Sequence, residues 1–127
     1  MFKILKDKSK TICVTRGDAG NLAVNANLDG GGQYTFKKGD VIRFRVFKAQ
    51  KCGETVILKD VVVDEERPKV IIPLSKTDTK IGGVINAPVD YWYNIELNPD
   101  TTPHTMIGYD DDGQKIFRLF PKGGDTE

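Results

Sequence analysis

The sequence is poor in the side chains from which catalytic and metal sites are usually assembled. Histidine and tryptophan occur once each, and cysteine twice, in 127 residues. One histidine and two cysteines with no C-x-x-C pair do not make a zinc site. The only serines are Ser9 and Ser75, and neither stands in a G-x-S-x-G context. His104 lies in the proline-flanked "PDTTPHT" with no serine or cysteine near it, and is read as an exposed loop residue. Acidic residues are plentiful but cluster in turns, and no pair stands out for glycoside hydrolysis. An excess of either charge is missing too. Nineteen Lys and Arg face 18 Asp and Glu, which argues against a dedicated nucleic-acid binder. No apolar run approaches the roughly 20 residues of a membrane helix. The opening "MFKILKDKSK" lacks the roughly 7–15-residue apolar stretch of a signal peptide, so synthesis in the cytoplasm is expected. Cys13 and Cys52 are too few for a disulfide framework and are read as reduced and partly buried.

Three short motifs invite functional readings that their contexts weaken. "DDDG" (110–113) has contiguous aspartates and no glutamate downstream until Glu127. A calcium loop needs alternating ligands and a glutamate at its end, so these residues are read as a hairpin turn. "DGGGQ" (29–33) lacks the lysine and following helix of a phosphate-binding loop. "RGD" (16–18) is read as a turn into the next strand rather than an adhesion motif.

What the chain does contain is alternation. "TICVT" (11–15), "NLAVNANL" (21–28), "VIRFRVF" (41–47), "TVILKDVVV" (55–63), "KVIIPL" (69–74), "YWYNIEL" (91–97), "TMIGY" (105–109) and "KIFRLF" (115–120) read as strands. Glycine-rich turns separate them. Pro73 would remove a ladder hydrogen bond, so its strand should end or run along an edge there. "SKTDTK" (75–80) allows one turn capped by Ser75, and the last two strands read as a hairpin. The expected fold is all-β: an immunoglobulin-like antiparallel β-sandwich of about eight strands. One domain over residues 1–122 and a flexible tail over 123–127 are expected.

In "DYWYNIEL" (90–97), Val89, Tyr91, Tyr93, Ile95 and Leu97 fall on one face. A hydroxyl of Tyr91 or Tyr93 could reach the backbone of the "TDT" turn, like a tyrosine corner. Asp90, Trp92, Asn94 and Glu96 fall on the other face, which sets the only tryptophan among polar residues. Trp92, Asp90 and Asn94, with Arg43 and Arg45 as candidate cross-strand neighbours, are therefore the candidate partner-contact residues. The competing reading has Trp92 covered by the N-terminal segment, residues 49–55 or the 81–88 loop, or stacked under Arg43 or Arg45.

Five stretches in order, "VTRGDAGNLAV", "KKGDVIRFRV", "IPLSKTDT", "YWYNIEL" and "TMIGYDDDGQKIFRLFPKGG", carry a resemblance. They resemble small β-sandwich proteins of the tail modules of Gram-positive phages and prophages. They are similar to the N-terminal domain of the phage baseplate upper protein. "AQKCGET" (49–55) lengthens the middle, and baseplate proteins continue into a fibre region that does not follow here. The resemblance implies a non-catalytic virion structural or assembly protein, made in a bacterial host's cytoplasm, without cofactor, metal, nucleic acid or membrane. Its implied partners are other tail or baseplate proteins, or further copies of itself. The alternative is a carbohydrate- or cell-surface-binding module, with Trp92 as the stacking platform and Asn94 and Asp90 as hydrogen-bonding flanks.

Overall fold

The computed structural model describes residues 1–5, 10–27, 32–48, 54–108 and 115–125. Cys52 and the "DDDG" turn lie outside them. Eleven strand segments and no helix occur among the described residues: β1 (Phe2–Ile4), β2 (Ile12–Thr15), β3 (Gly20–Val24), β4 (Ala26–Asn27), β5 (Gln33–Tyr34), β6 (Val41–Phe47), β7 (Thr55–Val62), β8 (Val70–Leu74), β9 (Val89–Leu97), β10 (His104–Ile107) and β11 (Lys115–Phe120). Seven form one sheet in the order β1-β2-β11-β9-β6-β7, with β10 also on β9. β3 pairs with β8, and β4 with β5, as two small ribbons.

The alternation seen in the sequence sets the layers. In β6, Ile42, Phe44 and Val46 are fully buried. Leu22, Val24, Val70, Ile72 and Leu74 of β3 and β8 are buried in the same apolar cluster, opposite Tyr93, Ile95, Phe117 and Leu119. Phe44 sits centrally, its ring centroid 5.8 Å from Tyr93 and 6.3 Å from Phe117. The large sheet and the β3–β8 ribbon thus bury their greasy faces in one core, consistent with the sandwich class.

Several expectations are corrected. The sheet is mixed rather than purely antiparallel, because β11 runs parallel to β2 with Phe117 opposite Ile12. β10 and β11 do not form a hairpin with each other. Both run antiparallel to β9, β10 opposite Glu96 and Leu97 and β11 opposite Val89 to Tyr93. They are successive segments of one strand line, because β9 offers an edge long enough for both. Tyr93 donates its hydroxyl to the Lys10 carbonyl, not to the "TDT" turn. Burial pushes that phenol's pKa well above its ordinary value. The tail expected from residue 123 is tied down as far as Asp125, which pairs with Arg16 at 2.7 Å.

Other readings meet their geometry directly. β8 has a neighbour on one side only, which accommodates Pro73. Ser75 Oγ accepts from the Asp78 amide at 3.1 Å, and Asp78 Oδ2 accepts from the Ser75 amide at 2.8 Å, closing the expected capped turn. "RGD" is a turn into β3, with Gly17 at a φ of 84° that glycine adopts without strain. The Arg16 side chain is only 2% exposed, which withdraws it from any adhesion receptor. Asp18 is held by the Met1 ammonium and, at 3.0 Å, by Lys122.

Two predictions follow from this packing. Phe44→Ala removes a fully buried ring and should cost about 3–5 kcal/mol in urea unfolding with an unchanged m-value. The second concerns acid. Hydrogen bonds from the Met1 ammonium and Lys122 lower the pKa of Asp18. At Asp40 and Asp78 burial acts upward, but it is outweighed by donors that include the Lys37 amide and Asn98 for Asp40, and the Ser75 amide and Lys59 for Asp78. All three carboxyls therefore titrate below the ordinary 3.8. Folded chains bind fewer protons than unfolded ones there, so this stability is complete above that value and drains away as pH falls through the folded pKa values. The urea midpoint should hold down to about pH 5 and decline below about pH 4.

Candidate protein-contact site

Register decides what surrounds Trp92. Phe47 of β6 stands opposite it on one side and Ile116 of β11 on the other. An apolar row, Phe47–Trp92–Ile116, therefore crosses the outer face of the large sheet. Phe47 is buried, while Trp92 and Ile116 are half-buried. One step along β9, Asn94 stands opposite Arg45, and one further, Glu96 stands opposite Arg43. Asp90 faces Arg118 across β11.

The five candidate residues share this face, but they are not equally available. Arg43 donates Nε and Nη2 to the Asp60 carboxylate at 2.9 and 3.0 Å, and reaches Asp100 at 3.1 Å. The hydrogen bonds from Arg43 lower the pKa of Asp60. Asp90 accepts from Arg118 Nε at 2.7 Å and from its Nη2 at 3.2 Å. Both are committed within the chain. Arg45 and Asn94 are different. Arg45 Nε and Asn94 Oδ1 are buried and have no hydrogen-bond partner among the described residues. Unsatisfied buried polar atoms are uncommon, because each keeps most of its desolvation cost. The Arg45 guanidinium lies over the Phe47 ring, 5.8 Å from its centroid; stacking on Trp92 is one alternative within the competing reading.

Trp92 is thus the part of this centre that solvent reaches, with Phe47 buried behind it and Arg45 and Asn94 beside it. Phe47 and Ile116 were missed in the sequence. Phe47 shares the parity of Arg43 and Arg45 in "VIRFRVF" and could have been placed on their face, but nothing in the sequence sets it opposite Trp92. Beside this face, Leu58 and Val62 of the edge strand β7 are 52% and 64% exposed.

His104 begins β10 and is exposed. Cys13 is buried. Among the described residues no group of three or more His, Cys, Asp or Glu is placed to hold a metal ion, and no helix is long and apolar enough to cross a membrane. No protein-family model and no curated protein matches the chain.

If the two unpaired atoms are kept for a partner rather than for folding, removing them should help the isolated chain. Arg45→Met combined with Asn94→Leu is expected to raise unfolding stability by about 1–2 kcal/mol. Thermal melts check this, and a loss of similar size would place both groups among the chain's own supports.

Proposed function

We propose that this chain is a non-catalytic phage or prophage virion structural or assembly protein, associated with the tail or baseplate and acting through protein–protein contacts. Its sandwich is of the immunoglobulin-like kind, its place is the virion, and its partners are other tail proteins or further copies of itself. The observation that carries the reading is the outer face of the large sheet. There a half-buried tryptophan, backed by a buried phenylalanine, adjoins Arg45 and Asn94, whose buried atoms lack partners among the described residues. Tryptophan and arginine are over-represented among residues that dominate binding energy at interfaces. A partner that covers Trp92 gains the apolar area of its half-exposed ring. The open edge of β7 offers a second mode, addition of a neighbour's strand. The five-part sequence resemblance supplies the phage context.

A glycan platform fits this face less well. Asp90, one of the flanks such a site would use, already accepts two hydrogen bonds from Arg118, and the ring's neighbours across the sheet are apolar.

The test uses purified virion proteins encoded beside this chain. One of them should bind with a shift of the single tryptophan's emission to shorter wavelength, and Trp92→Ala should weaken that binding about 30-fold or more. Saturable glycan binding lost in Trp92→Ala, or neighbouring genes that encode no virion component, would overturn the proposal.

A further inference from the structure

At one end of the sandwich, away from the Trp92 face, the "RGD" turn, the 75–82 turn and the segment after β11 enclose a cleft of about 420 Å³. Among the described residues, Arg16, Lys76, Lys80 and Lys122 line it against the carboxylate of Asp125. Arg16 forms its floor. The guanidinium is fixed by the Gly82 carbonyl at 2.6 Å and the Ile81 carbonyl at 3.4 Å, and its Nη1 donates to Asp125 at 2.7 Å. That guanidinium is committed within the chain, so the available charge of the cleft is that of the lysines at its rim. Lys122 is partly neutralised by Asp18. Lys76 and Lys80 are exposed and have no ion-pair partner among the described residues. In a chain of net charge +1, such a gathering of positive charge around a concavity is a local feature, not a reflection of overall basicity.

We propose that this cleft binds the side-chain carboxylates of an acidic segment of a partner protein. Arg16 stays paired with Asp125 and forms the floor. Lys76 and Lys80, exposed at the mouth, take the carboxylates of the segment. The site is separate from the Trp92 face, and either can stand if the other fails.

The probe is a fluorescein-labelled hexaglutamate peptide, titrated by fluorescence anisotropy with the full chain at low salt. Saturable binding is expected, weakening as salt rises. Reversing Lys76 and Lys80 to glutamate should weaken it about 10-fold or more. Reversing Lys38 and Lys69 to glutamate makes the same change in net charge outside the cleft and should leave the affinity within about twofold. All four lysines are exposed, so both variants should keep the parent's melting behaviour. Absence of saturable binding, or equal weakening in the two variants, would refute the site. So would pyrophosphate saturating the cleft while the peptide does not.

Discussion

Strand β9 is occupied along both edges, and that constraint organises the molecule. β6 takes one side, and β10 followed by β11 takes the other. Because side chains alternate, a slip of one residue would exchange the two faces of the strand. It would bring Asp90, Trp92, Asn94 and Glu96 into the core and expel Tyr93, Ile95 and Leu97, which are now buried. Holding β9 in phase also holds β6 and β11 in phase, so the composition of the outer face follows from the same choice. Phe47 and Ile116 flank Trp92 because the strands that carry them are registered against the residues that must be inside.

A second organising feature closes one end of the sandwich. Arg16 reaches the carbonyls of Ile81 and Gly82 and the carboxylate of Asp125, while Asp18 accepts from Met1 and Lys122. Thr79 donates its hydroxyl to the Asp18 carbonyl at 2.7 Å. A tripeptide that suggests recognition by an outside receptor is thus used to join the first strands, the turn after β8 and the segment after β11. Removing one partner of the buried Arg16–Asp125 pair leaves the other uncompensated, which is where such pairs become costly.

Much of this was legible in the sequence, for a local reason. Alternation in "VIRFRVF" and "YWYNIEL" assigns faces strand by strand, and turn residues such as Gly17 and Ser75 follow from their own backbone needs. What could not be read was pairing between distant segments. The sequence places Trp92 outward but does not say that Phe47 and Ile116 stand beside it. It names Asp90 and Arg43 as free contacts, yet Arg118, Asp60 and Asp100 take them up. The Tyr93 hydroxyl finds Lys10, 83 positions away. A "TMIGYDDDGQKIFRLF" pattern satisfies every local rule for a hairpin, but the unpaired edge of β9 competes for both halves and wins.

That last arrangement has a practical consequence for engineering. β10 ends at Ile107 and β11 takes up the same edge of β9 from Lys115, each anchored by its own ladder. Extra residues spliced between these anchors need not disturb either ladder, and closing a longer excursion grows in cost only with the logarithm of its length. An epitope tag or fluorescent reporter spliced between Ile107 and Lys115 would leave both ladders to hold β9 in place.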